Sequence, residues 1–279
     1  MNWLRKQASD TQITHGQRIW LYFLSAVIMF LLVFPTLIVI PMSFSDSQYL
    51  EFPPKKWSIR WYEEYWETPR WINATITSLQ VAFFTMLLAT PIGTMAAYGL
   101  FVSGSKLGRY VFFLLMTPMI IPVILIAIGT FYVFGKVGVV NSIPGLVLAH
   151  TVLAVPIVMI IMTSALRTYD LNQELVARSL GASRIRAFFS ITLPQIKFSI
   201  IISALFAFLT SFDEVIISIF LSGGGNSTLT KQMFNALRDY IDPTIAAIST
   251  LMIILSTSLM LGAQYLSLIH ISEPTRLAT

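Results

Sequence analysis

"ELVARSLGASRIRAFFSITLP", residues 174–194, is a long basic, amphipathic stretch with apolar runs on either side. Leu171 and Leu175 stand one helical turn apart, as do Val176 and Leu180. Gly181 offers the left-handed conformation that ends a helix. Ser183 is suited to cap the next helix. Ile185, Phe188, Phe189 and Thr192 then recur at i, i+3, i+4, i+7, the spacing of one helical face. Pro194 is expected to close the segment. The pattern predicts two short helices around a turn, with an apolar face rimmed by Glu174, Arg178, Arg184 and Arg186. From the residues alone, two roles fit. The segment could rest on anionic headgroups as an interfacial helix, or it could dock into a protein partner, which would explain the defined turn.

The flanking runs set the class. Of 279 residues, 56% are hydrophobic and 11% charged, and the mean hydropathy is +0.75. A soluble domain carries about 25% charged residues, so the chain reads as an all-α, polytopic membrane protein. Period-two alternation over successive segments is missing, which argues against a barrel. Six runs are long enough to span. They lie at about 19–42, within 71–105, between Arg109 and Lys136, between Lys136 and Arg167, from about Lys197 to Leu221, and at about 244–265. The expected organisation is a cytoplasmic segment (1–18), a first span (19–42), a polar and aromatic outer loop (43–70), and a core of five spans (71–265). That core contains the opening loop, 170–194. The long apolar run after residue 18 reads as an uncleaved span and not a signal peptide.

With the N-terminus inside, the cytoplasmic segments hold ten basic and three acidic residues. The outer segments hold seven basic and nine acidic ones. Basic residues favour the cytoplasmic side, so both termini are expected there. Residues 266–276, "LSLIHISEPTR", resemble the translated end of a DNA-sequencing adapter, and 266–279 are set aside as an adapter-derived tail.

The spacing of Glu174, Ala177, Gly181, Ile191, Leu193 and Pro194 resembles the "EAA" loop of ATP-binding-cassette importer permeases. Val176 stands where that family has its first alanine. "SFDEVIISIF" (211–220) and "DPTIAAIST" (242–250) are most similar to the spermidine/putrescine branch. The resemblance implies a type I importer permease core of six membrane helices with a cytoplasmic coupling helix pair, in a bacterial inner membrane. It implies ATPase-coupling roles for Glu174, Ala177, Gly181, Arg184, Ile191, Leu193 and Pro194. It also implies separate ATP-binding-cassette ATPase subunits, a second permease subunit (a different chain) and a periplasmic or extracellular substrate-binding protein. Membrane lipid is a partner and nucleic acid is not. A polyamine is the expected substrate, with iron, phosphonates or opines as alternatives within the class. An ion-gradient-driven secondary transporter is the competing class, but it would need internal repeats or intramembrane ion sites.

The chain is not expected to be an enzyme, and no cofactor is expected. "GTFYVFGK" (129–136) departs from a phosphate-binding loop in glycine spacing, and Val137 replaces the needed Ser or Thr. "SGGGNST" (222–228) reads as a loop. No cysteine is present, and His15, His150 and His270 are scattered, so no metal cluster is expected. His150 reads as a satisfied polar residue within a span. Asp213 and Glu214 are different. Carboxylates in a span cost roughly 2.5–3.5 kcal/mol at the centre, so they are the candidate substrate-pathway residues. Ala89, Gly93 and Ala97 form a small-residue ladder that permits close helix approach.

Overall fold

The computed structural model describes residues 15–272, with side chains through Tyr265. Among them the regular structure is helical, and the one β feature is an isolated antiparallel bridge between Ser45 and Trp57. The helices are α1 (Ile19–Met42), α2 (Arg60–Glu67), α3 (Pro69–Ser103), α4 (Lys106–Ile120), α5 (Val123–Val137), α6 (Ile143–Arg167), α7 (Asn172–Ser179), α8 (Arg184–Ala187), α9 (Leu193–Phe212), α10 (Ile216–Leu221), α11 (Leu229–Asp239) and α12 (Thr244–Ser272). The adapter-like run falls at the end of α12 and beyond, where side chains, and from 273 the backbone too, lie outside the described residues.

The chain divides into two compact units. The first comprises residues 1–65 and 241–251. In it, α1 is apolar around its whole circumference and has no buried residue, as expected of a helix whose solvent is lipid. The loop after it is pinned by Asp46 N–H donating to Lys56 O (3.0 Å) and Ser58 N–H to Phe44 O (2.7 Å). Lys56 Nζ also donates to Asp46 Oδ2 at 2.7 Å, and this bond holds the Asp46 carboxyl below its usual range.

The second unit, 66–240 with 252–279, is built on α3, α6 and α9. Its packing begins with the small-residue ladder. Ala89, Gly93 and Ala97 place α3 against α6 so closely that a Cβ on Gly93 would lie 2.6 Å from Val158 Cγ1 and 3.2 Å from Val155 O. Val158, Met159, Met162 and Leu166 fill the space behind the ladder and are fully buried, with Ala207 of α9 completing the layer. A second core gathers Val81, Ala127, Leu146, Ile217 and Leu221.

Five helices are long and apolar enough to cross a membrane, and a sixth crossing is available if α4 and α5 count as one span. The third apolar run, between Arg109 and Lys136, is therefore not one continuous helix. It breaks at Ile121–Pro122 with a 99° bend. Pro122 has no N–H to continue the ladder, and it drives the preceding residue out of the helical region. Ile121 is accordingly extended, at φ −75° and ψ 133°. The fifth run is also interrupted, because α9 ends at Phe212 and α10 begins at Ile216.

Candidate coupling loop and membrane break

Thr168 to Asp170 lead out of α6 and into α7, where Glu174 is the only buried residue. Gly181 sits between the two short helices at φ +94°, a conformation that L side chains resist. Ser183 Oγ then accepts from Arg186 N–H at 3.2 Å and caps α8. So far the loop follows the sequence expectation. It differs at its end. After α8 the backbone widens into a π-turn over Phe188–Thr192 and runs directly into α9. Pro194 lies in the first turn of α9 and does not close the segment, because a proline there sacrifices no hydrogen bond. The second coupling helix is thus continuous with a membrane span, from Arg184 to Phe212.

The apolar residues of the loop are mostly turned outward. Leu180 is 84% exposed and Ile185 72%, and Leu175, Val176 and Phe189 are exposed as well. Phe188 is half-buried, and its ring packs against that of Tyr98 at 4.6 Å between centroids, tilted by 57°. Together with Arg184, Ile185 and Phe189, these two rings border a cavity of about 330 Å³. Thr192, expected on the apolar face, is instead fully buried. Among the other motif residues, Ala177, Ile191 and Leu193 are half-buried, and Arg184 and Pro194 are exposed.

Glu174 is 1% exposed and is caged. The Tyr98 hydroxyl lies 2.8 and 2.7 Å from its two carboxylate oxygens. Thr192 Oγ1 donates to Oε2 at 3.0 Å, and Tyr169 Oη lies 2.9 Å from that same Thr192 oxygen. The carboxylate thus joins α7, the end of α3, the end of α6 and the start of α9. Charge-assisted bonds of this kind are about twice as strong as neutral ones, and orphaning a buried partner costs roughly 1–3 kcal/mol. Tyr98 and Tyr169 were not singled out by sequence, and Thr192 was placed on the loop's apolar face. The one available signal was a lone tyrosine near the end of an otherwise apolar run.

The second candidate region is the α9–α10 break. Asp213 ends α9 and is exposed. Glu214 is half-buried, and its Oε1 accepts the N–H of Ile217 at 2.8 Å, so it caps α10. The Glu214 carbonyl accepts from Ser218 Oγ (3.0 Å) and Thr230 Oγ1 (2.9 Å). Just inside the break, His150 is buried, with Nδ1 2.8 Å from Ser211 Oγ. Ser211 in turn donates to Thr85 Oγ1 at 3.3 Å. His150 is therefore a satisfied polar residue, as its sequence setting suggested. No group of three or more His, Asp or Glu that could hold a metal occurs among the described residues.

A capped helix pair that presents apolar side chains from the end of a membrane bundle is the arrangement the EAA-like spacing implied. Residues 89–268 match the family described as binding-protein-dependent transport system inner membrane component. The chain belongs to that family. It is a permease subunit of an ATP-driven importer and a multi-pass protein of the bacterial inner membrane. The chain is 30% identical over 251 residues to the spermidine/putrescine transport system permease protein PotC of Haemophilus influenzae, an alignment that covers 88% of this chain and 97% of that one. It is 31% identical over 226 residues to the putrescine transport system permease protein PotI of Escherichia coli, covering 78% and 80%. Its fold is shared with a chain of a bacterial transporter for the acidic polysaccharide alginate (TM-score 0.70, 12% identity, 90% and 98% coverage).

Proposed function

We propose that this permease imports a polyamine of the spermidine/putrescine class, and that residues 170–194 connect it to separate ATP-binding-cassette ATPase subunits. The observation that carries the coupling reading is the caged Glu174. A surface helix that only rested on lipid would not need its carboxylate fixed to three other segments. With the cage holding α7 rigidly to α3 and α9, a push on the exposed Leu180–Ile185 surface is delivered to two membrane helices. Packed cores move between discrete arrangements and do not deform continuously, so such a push can switch the bundle between inward- and outward-facing states. Gly181 provides the turn, and Arg184, Ala177, Ile191, Leu193 and Pro194 set its borders and its junction with α9.

Both termini and the coupling loop are placed in the cytoplasm. The basic excess supports this, and counting α4 and α5 as one bent crossing gives the even number of spans that it requires. A second permease subunit and a substrate-binding protein complete the assembly. The polyamine assignment is supported by the names of the relatives and by the α9–α10 break. There, Asp213 offers a carboxylate where an unwound backbone interrupts the span, a recurrent setting for cation sites. Glu214 holds the break open by capping α10.

The test is ATP-dependent uptake by the reconstituted complex with its binding protein, using labelled putrescine and spermidine. Uptake of either amine is expected, with stimulated ATP hydrolysis. A complex that hydrolyses ATP in response to another solute and ignores both amines overturns the substrate. Failure of the chain to co-purify with an ATPase subunit overturns the coupling.

A further inference from the structure

The imidazole of His150, on α6, stands astride the α9–α10 break. Its Nδ1 lies 2.8 Å from Ser211 Oγ, in the last turn of α9, and its Nε2 lies 3.5 Å from Ser218 Oγ, in α10. All three side chains are buried. Between the two serines the chain leaves the helix at Asp213, Glu214 and Val215. An ionisable side chain inside a span is expensive and marks function more often than packing. The ring also links the two hydroxyls. A neutral imidazole has one donor and one acceptor nitrogen, and each serine has a single proton to donate. With the proton on Nδ1, Ser211 is free to donate to Thr85 Oγ1 at 3.3 Å, and Nε2 calls for the Ser218 proton, which must leave the Glu214 carbonyl 3.0 Å away. With the proton on Nε2, Ser218 keeps that carbonyl and Ser211 turns from Thr85 to Nδ1. The bond made on the α9 side thus dictates the bond made on the α10 side. Thr230 Oγ1 donates to the Glu214 carbonyl at 2.9 Å, so that carbonyl keeps a partner in either arrangement.

We propose that His150 is a positioning residue for transport: it bridges α9 and α10 across the break and so fixes where Asp213 is presented to the substrate. The α9 side is held by a bond of ordinary length, and the α10 side by a contact at the limit of hydrogen bonding. α10 is therefore the side that can approach or leave the ring when the bundle changes state, and the Ser218 hydroxyl exchanges between Nε2 and the Glu214 carbonyl as it does. The inference rests on the proposed role of Asp213 as the carboxylate that meets the amine.

The test is the amount of labelled putrescine taken up per ATP hydrolysed by the reconstituted complex with its binding protein. This ratio does not depend on how much of the complex is folded, so a loss of stability alone leaves it unchanged. His150→Leu, which fills the site and removes both nitrogens, is expected to lower the ratio about fivefold, the worth of one net hydrogen bond. His150→Gln, which retains a donor and an acceptor, should recover most of that loss. Ser218→Ala should lower the ratio about threefold, through the weaker α10 contact. In an Asp213→Asn background, itself lowered, neither His150→Leu nor Ser218→Ala should lower the ratio further, since residues that act through one group are not additive. A ratio unchanged by His150→Leu, or lowered equally with and without Asp213→Asn, overturns the inference. Should His150→Leu fail to assemble, the same two outcomes for Ser218→Ala decide it. A ratio unaffected by Asp213→Asn alone would instead overturn the proposed role of Asp213, and the inference with it.

Discussion

Glu174 lies in a polar loop and is 1% exposed, whereas Asp213 interrupts an apolar run and stands open at the end of α9. The settings are the reverse of what hydropathy would assign. Glu174 gains hydrogen bonds from two hydroxyls, and with them satisfied its burial joins four segments. Asp213 comes where the backbone leaves the helix, and its neighbour Glu214 is occupied in capping α10. One carboxylate is therefore spent on rigidity and the other is left available to a solute. Motion imposed on the loop needs the first property, and recognition of a cation needs the second.

The comparison breaks most severely at the cage. Glu174→Ala orphans the Tyr98 hydroxyl, at roughly 1–3 kcal/mol, and leaves Thr192 with Tyr169 alone. Substrate-stimulated ATPase activity of the reconstituted complex is expected to fall by at least about thirtyfold, the factor that roughly 2 kcal/mol represents. Glu174→Gln, which keeps acceptor capacity, should retain a measurable part. Normal stimulation in the alanine variant would place Glu174 with the exposed carboxylates.

A smaller effect is expected at the turn. A β-branched residue at φ +94° is strained by about 1–2 kcal/mol, so Gly181→Val should misalign α7 and α8. Stimulation is expected to drop about tenfold while membrane insertion, read from the membrane fraction, stays at the wild-type level. Unchanged stimulation would mean that the loop's shape is irrelevant to coupling.

The smallest effect sharpens the other side of the comparison. Asp213→Asn with Glu214→Gln keeps size and removes charge. Uptake of a di- or triamine is expected to fall about tenfold, equivalent to roughly 1.4 kcal/mol in one binding or barrier step. Basal ATP hydrolysis should persist. Asp213→Asn alone should account for most of the loss, since the Glu214 carboxylate is engaged by the Ile217 amide and Gln still accepts there. Wild-type kinetics in the double variant would make both residues a solvated rim.

The sequence by itself determined the class, the number of apolar runs and the loop. Composition excludes an ordinary soluble globule, span length follows from bilayer thickness, and Gly181, Ser183 and the apolar spacing dictate a helix pair through local backbone preferences. Hydropathy sees only averages along the chain, so it could not register the break at Asp213–Val215, and Pro122 was readable as a kink but not as a bend of 99°. Pro194 was legible as a helix boundary but not as the start of one, because proline is tolerated in a first turn and also common after a last one. The cage was the least legible feature. Tyr98 and Glu174 are 76 residues apart in the chain, and Thr192 looked like part of an apolar face. Only the packing of α3 against α6 and α9, made close by Ala89, Gly93 and Ala97, brings these hydroxyls to one carboxylate. Distance along a chain carries no information about such a meeting, and burial makes it decisive, because a carboxylate removed from water must find its partners in the fold.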